Sequence, residues 1–307
     1  MIKCVLLFSG GLDSILAAKI LMEQKIKIIP ICFESYFFNC QLAKKSAKNL
    51  GLKLRGVDFS KEHLEIVKNP KYGRGQGMNP CIDCHLLMLK TAKRLAKLGR
   101  NKFNLLATGE VLGERPFSQN IRSLKLIEKE AGLEDLILRP LSAKLLPETI
   151  YEKKGIIKRE KFFNIQGKSR KPQFALAKKF KIKKFPAPAG GCILTDLEYS
   201  KKLKELLEKI PNCNGLDCQI LRKGRVFWPN NFLMVVARNE KECQELKKIK
   251  KKKDLILEPK NFPGPTVLIR GFGKKIGKDI LKKAKNLILK YSKRIKRPAK
   301  FSINGIV

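Results

Sequence analysis

The chain has 307 residues, 67 Lys and Arg against 27 Asp and Glu, a formal net charge of +40 and 43% hydrophobic residues. That length allows two domains with separate cores, and that apolar content excludes a disordered chain. No apolar run approaches the roughly 20 residues of a membrane span, so no membrane partner is expected. The chain enters a strand pattern at once with no leader-like segment, so a cytoplasmic location is expected, and the nine cysteines are read as thiols or metal ligands rather than a disulfide framework.

In chain order, Cys4-Val5-Leu6-Leu7-Phe8 is an apolar run of the kind that forms a buried parallel strand. It is followed by Ser9-Gly10-Gly11-Leu12-Asp13-Ser14 and then by a helical pattern. Residues 27–33 predict a second strand, 39–50 a helix and 53–57 a third strand. His63 falls on a predicted helix, partly exposed. The turn-rich residues 68–79 read as a mobile loop, a candidate lid. Pro80-Cys81-Ile82-Asp83-Cys84-His85 opens a helix over 86–98, a strand follows over 103–108 and ends at Gly109, and a fifth strand falls at 136–138. Residues 142–185 look helical, basic and loosely connected, with Lys168-Ser169-Arg170-Lys171 as a solvated face. The Pro- and Gly-rich residues 185–191 predict a rigid loop that carries Cys192, and a helix over 197–210 closes the region.

Strands alternating with helices predict a doubly wound parallel α/β sheet over residues 1–210, with ligands at the carboxyl ends of the strands. Residues 211–307 predict a second, smaller α/β domain, with short strands at 219–222, 225–228, 232–237 and 266–270 and helices at 240–250 and 275–291. Residues 201–307 hold 29 basic and 9 acidic residues, a net of +20, which points to a polyanionic partner.

The first candidate site is the glycine turn. A strand, a tight turn and a helix start together direct backbone N–H groups and the positive helix end at one place, an anion site. Gly10 and Gly11 allow close backbone approach, and Ser9 and Ser14 add hydroxyl donors. Asp13 does not suit bare phosphate; a carboxylate there points to a metal bridging phosphates or to a departing pyrophosphate. The Lys of the kinase-type phosphate loop is absent. The second candidate is Cys81 and Cys84, whose Cys-x-x-Cys spacing at a helix start suits a metal, an iron–sulfur cluster or a redox pair, with thiolates favoured by the helix end. Cys192 is the expected third ligand. Three thiols would hold a [4Fe–4S] cluster with one iron open; the alternative is that Cys81 or Cys84 pairs with Cys192 as a persulfide-carrying couple. Cys4, Cys32, Cys40 and Cys243 are assigned to packing, and Cys213 and Cys218 to buried or free thiols.

The Ser-Gly-Gly-x-Asp-Ser turn resembles the signature of the PP-loop ATP pyrophosphatases, a HUP-like fold whose members split ATP between its α and β phosphates. Together with Asn-Pro-Cys-Ile-Asp-Cys, Ala-Thr-Gly-Glu and the later Cys192, the first 200 residues or so resemble the tRNA thiolation enzymes, the 4-thiouridine and 2-thiouridine synthases, in their iron–sulfur-dependent form. Residues 235–240 and 262–270 resemble the NFACT-R module implicated in RNA binding, although Pro265 and Thr266 stand where that module carries a histidine. The resemblance implies an ATP-dependent tRNA sulfurtransferase. ATP and Mg2+ would lie over Ser9, Gly10, Gly11, Asp13 and Ser14, with the adenine near Phe33 and the ribose near Gly109. Asp13, Cys81 and Cys192 would be catalytic, and Cys81, Cys84 and Cys192 would hold the cluster. The partners implied are tRNA and a sulfide or persulfide donor, with a homodimer left open. The rival readings are a PP-loop amide or nitrile synthase acting on a small molecule, and a non-catalytic RNA-binding protein. The basic tail argues against the first, and the intact Asp13 with its cysteines against the second.

Overall fold

A computed structural model describes residues 2–97, 105–185 and 192–304. The chain divides into two compact units, Met1–Thr195 and Asp196–Val307. The first is a five-stranded parallel sheet of order β3-β2-β1-β4-β5, made of β1 (Lys3–Leu7), β2 (Lys27–Glu34), β3 (Arg55–Asp58), β4 (Leu105–Thr108) and β5 (Ile137–Leu138). Alternation along the strands sends successive side chains to opposite faces. Cys4, Leu6 and Phe8 join one core layer with α1 (Leu12–Glu23), α2 (Gln41–Asn49) and α7 (Lys171–Lys179). Val5, Ile31 and Phe33 join the other with α4 (Cys81–Lys97) and α5 (Ile121–Ala131). The expected doubly wound sheet is therefore present, and its strand order reverses between β1 and β4, the crevice where such folds bind ligands.

Several expectations change at the level of single elements. Residues 142–185 are short pieces, including α6 (Ile150–Lys153), but they are not loosely attached: Ile157, Phe162, Ile165, Leu176 and Ala177 are buried in the α1-side core. His63, on α3 (Ser60–Lys68), is buried rather than partly exposed, and its ring lies among Phe37, Phe38 and Phe59. Residues 68–79 are fastened rather than lid-like. The Asp83 carboxylate accepts the Lys71 and Tyr72 N–H groups at 3.0 and 3.1 Å, and the Arg74 guanidinium donates to the Val67 and Lys68 carbonyls. Cys32 and Cys40 form a disulfide. The chain turns back between them through a Ser35–Phe38 bridge, which brings their Cα atoms to 5.9 Å, a separation that spacing along the sequence does not reveal. The start of the fourth predicted strand and the proline–glycine loop at 186–191 lie outside the described residues.

The second unit begins earlier than residue 210. Helix α8 (Leu197–Lys209) belongs to it: Tyr199 donates to the Cys218 carbonyl at 3.0 Å and Lys202 to the Gly224 carbonyl at 3.0 Å. Residues 215–220 form α9 (Gly215–Ile220) instead of the start of a strand, because Asn214 and Asp217 make a capping box. The sheet is five-stranded and antiparallel, of order β10-β8-β9-β7-β6. Its strands are β6 (Arg225–Phe227), β7 (Leu233–Val236), β8 (Leu255–Pro259), β9 (Val267–Arg270) and β10 (Phe301–Asn304), accompanied by α10 (Glu240–Ile249) and α11 (Lys278–Lys290). The buried Arg270 guanidinium is held by Asp254 and Asp217, so this core's one deeply buried cation is fully paired among the described residues.

Candidate active site at the carboxyl edge of the parallel sheet

The turn after β1 has the geometry its composition requires. Gly10 has φ +80°, and a Cβ there would meet the Ala43 Cα of α2 at 2.6 Å, so only glycine fits. The Ser46 hydroxyl of α2 donates to the Gly10 carbonyl at 2.9 Å. Within the turn, the Gly10 N–H donates to the Ser14 Oγ at 3.1 Å, the Ser14 Oγ donates to the Gly11 carbonyl at 2.9 Å, and the Gly11 N–H reaches the Ser9 Oγ at 3.3 Å. Gly11 is the N-cap of α1 and no side chain caps that helix, so its positive end is left to an anion. Gly109, at the end of β4, lies across the switch point. A Cβ on it would meet the Ser14 N at 2.7 Å, so its absence lets β4 and the turn close together. Phe33 is 5% exposed and its ring packs on Phe59 at 5.1 Å, within the core.

Asp13 pairs with Arg170, Oδ2 to Nη2 at 3.2 Å. Among the described residues the buried Oδ1 and the Arg170 Nε make no hydrogen bond of normal geometry, although the Gln173 side chain also acts on the carboxylate. Burial raises the Asp13 pKa, while Arg170 and Arg115 pull it down. Arg170 therefore belongs to the phosphate turn, not to a solvated face; the charge run containing it carries no signal of that role, because the pairing spans 157 residues. Glu114 stands nearby, its carboxyl raised by burial and by the Asp13 charge.

Cys81 and Cys84 open α4. That helix leads back across the sheet toward β4, so its start lies on the carboxyl edge. The turn after Cys192 is tied to the same place. The Met78 N–H donates to the Leu194 carbonyl at 2.9 Å, and the Thr195 N–H and hydroxyl donate to the Cys192 carbonyl at 2.9 and 2.7 Å. Burial pushes the Cys84 thiol well up, and the charges of Cys192 and Cys81 push it further. The Cys81 thiol is raised by burial, against the pull of Arg115 and Ser118. At both sulfurs burial is the largest effect, and at Cys81 it outweighs the groups that pull the pKa down. Cys81 and Cys192 both act electrostatically on Cys84, and Arg115 acts on both Asp13 and Cys81. Among the described residues no three of His, Cys, Asp and Glu are grouped as a site for a single metal ion. A cubane asks for a wider spread, with each thiolate on a different iron, and cysteine sulfurs are the donor chemistry that group takes.

A further network lies alongside and was not legible beforehand. The His85 Nδ1 lies 2.7 Å from the Glu110 Oε1, and the Glu110 Oε2 accepts from the Arg139 Nε and the Thr108 Oγ1, each at 2.9 Å. Arg139 also pairs with Glu128. Burial alone would raise the Glu110 carboxyl, but Arg139 and His85 hold it well below the usual carboxylate range. The sequence signal for it is Glu110, the last residue of Ala-Thr-Gly-Glu. Cys213 and Cys218 are buried.

A Ser-Gly-Gly-x-Asp-Ser turn at the switch point of a 3-2-1-4-5 parallel sheet defines the PP-loop class of nucleotide-binding α/β proteins. The profile of the family described as "Thiamine biosynthesis protein (ThiI)" matches residues 2–161, just over half of the chain, and the chain belongs to that family. Residues 224–304 match the profile described as "NFACT protein RNA binding domain". The chain is similar to a "Probable tRNA sulfurtransferase" of Finegoldia magna, 31% identical over 148 residues that cover 45% of this chain and 35% of the relative. It is also similar to a "tRNA-specific 2-thiouridylase MnmA" of Pelobacter propionicus, 26% identical over 159 residues, 48% of this chain and 44% of the relative. A solved structure titled "U34-tRNA thiolase NcsA from Methanococcus maripaludis with its [4Fe-4S] cluster" aligns with a TM-score of 0.32 and 19% identity over 71% of this chain and 69% of that one. The chain thus spans less than half the length of these curated relatives.

Proposed function

We propose that this protein is an ATP-dependent tRNA sulfurtransferase that converts a uridine carbonyl to a thiocarbonyl. The observation that carries the reading is the convergence of Asp13 and three cysteines on one sheet edge, with Arg115 acting on both groups. The names of the sulfurtransferase relatives support the same reaction class. The triphosphate would lie against the uncapped start of α1, with Arg170 and Arg115 facing its charge. Asp13 would hold Mg2+ through its buried Oδ1; the ion, when bound, screens the triphosphate. The uridine oxygen attacks the α-phosphorus, the α–β P–O bond breaks and pyrophosphate leaves. Hydrosulfide then adds to the activated carbon, and AMP departs with the original oxygen. Cys81, Cys84 and Cys192 would hold the [4Fe–4S] cluster, which supplies an open iron for a sulfur ligand. The second unit, with its matched RNA-binding module and the net +20 of residues 201–307, would hold the tRNA.

The test is pyrophosphate release with ATP and tRNA. Asp13→Asn should lower it by about a hundred-fold or more with an unchanged melting temperature. Unchanged turnover refutes the assignment. Replacing any of Cys81, Cys84 and Cys192 with Ala should abolish thiolation and iron content together while nucleotide binding survives. Iron retained in all three variants removes the cluster from the proposal.

A further inference from the structure

The second unit carries a stacked aromatic pair at one end of its sheet. Trp228 follows β6 and Phe272 follows β9. Register pairs Phe227 with Met234 and Leu233 with Arg270, so both aromatics emerge at the same end of the sheet. Their rings are stacked, centroids 6.1 Å apart and planes 15° from parallel. Both are half-buried, and neither is among the described residues of the core layer that packs on α11.

The backbone is strained to present them. Phe272 has φ +50°, and Asn230 and Asn231, in the turn after Trp228, have φ +52° and +61°. A left-handed conformation is tolerable for asparagine but a genuine outlier for a bulky aromatic. Such outliers persist where surrounding structure over-determines them, and they concentrate at binding sites. Gly271 is tightly enclosed: a Cβ there would meet the Lys274 carbonyl oxygen at 2.5 Å and the Phe232 ring at 3.2 Å. The 271–274 turn is therefore closely packed at Gly271. The indole N–H of Trp228 is shielded and has no acceptor. The surroundings are cationic: the Lys209 Nζ lies 5.9 Å from the Trp228 ring centroid, and Lys274 and Lys275 are exposed in the Phe272 turn.

A half-exposed aromatic surface beside lysines is the composition that binds single-stranded nucleic acid: the ring faces take bases and the cations take flanking phosphates. We propose that Trp228 and Phe272 form a stacking platform for an unpaired nucleobase of an RNA strand. The proposal rests on the RNA-binding reading of the second unit and adds that the partner is recognised through an unstacked base, not through duplex phosphates alone.

Trp228 is the only tryptophan of the chain, so its emission reports this place directly in the full-length protein. The probes are an oligoadenylate of about twelve nucleotides, within the span of known single-strand sites, and a blunt RNA duplex of similar length. The oligoadenylate should quench Trp228 emission saturably, and the duplex should not. Phe272→Ala should weaken oligoadenylate binding by about ten-fold and duplex binding by less than about two-fold, with Phe272→Tyr close to the parent. Saturable oligoadenylate binding by anisotropy with unchanged Trp228 emission overturns the platform, and that result needs no variant to fold. Equal losses for strand and duplex in Phe272→Ala also overturn it. Absence of binding to either RNA refutes the RNA-binding reading itself, a result distinct from binding without a Trp228 response.

Discussion

At the scale of single residues, the first unit contains two groups whose environment differs from what their neighbours in sequence suggest. His63 is enclosed by aromatic rings, both ring nitrogens lack partners, and burial lowers its pKa to about 4. The folded state therefore resists protonation that the unfolded chain accepts near 6.5. Its contribution is fully present above about pH 6.5 and is lost as pH falls toward about 4, a change on the order of 3 kcal/mol. His63→Leu should flatten that part of the stability–pH curve and be at least as stable as the parent at neutral pH, since it removes two unsatisfied buried atoms. Urea titrations at pH 7 and 5 measure both. A parallel loss of stability in parent and variant between those values would refute this account. Arg170 opposes the burial that raises Asp13. Arg170→Gln should move the acid limb of pyrophosphate release to higher pH and lower turnover by about ten-fold or more. A pH–rate profile that keeps its acid limb would show that Arg170 does not act on Asp13.

At the scale of elements, the phosphate turn is shaped by its neighbours as much as by its own glycines. Helix α2 closes on Gly10, and the end of β4 closes on Ser14 through Gly109. Gly109→Ala should destabilise the protein by about 1–3 kcal/mol through overpacking and weaken ATP binding more than the Arg170 substitution does. Calorimetric titration of nucleotide and a thermal melt would measure the two effects, and wild-type ATP affinity in a destabilised Gly109→Ala would remove this contact from the site. The turn itself was legible because a buried strand, two glycines and a helix start are adjacent in the chain. Its buttresses were not, since Ala43, Ser46 and Gly109 reach it through chain reversals. The 68–79 segment teaches the same lesson in the other direction. Its composition is that of a mobile loop, yet the Asp83 carboxylate, between the two cysteines of α4, accepts two of its N–H groups.

At the scale of the whole molecule, charge dominates. Residues 201–307 carry half of the net +40 in about a third of the chain. RNA binding by the intact protein should fall by at least about a hundred-fold between ~50 and ~200 mM salt as condensed counterions are no longer released to advantage. ATP affinity should change far less over the same range. A shallow salt dependence, measured by anisotropy with labelled tRNA, would mean that the lysines are solvated surface and not a footprint.

What the sequence determined by itself was local. Apolar runs, glycine turns and the two periodicities specified the parallel sheet, the phosphate turn and the Cys-x-x-Cys helix start, because each depends on residues within a few positions of one another. Tertiary structure alone decided that Arg170 meets Asp13, that Glu110 joins His85 to Arg139, and that Cys32 meets Cys40. It also decided that Trp228 and Phe272 stack at one end of the second sheet. Those pairings join residues from 8 to 157 positions apart, and no local propensity encodes which distant side chain fills a given space. Packing chooses it, once the strands have taken their order.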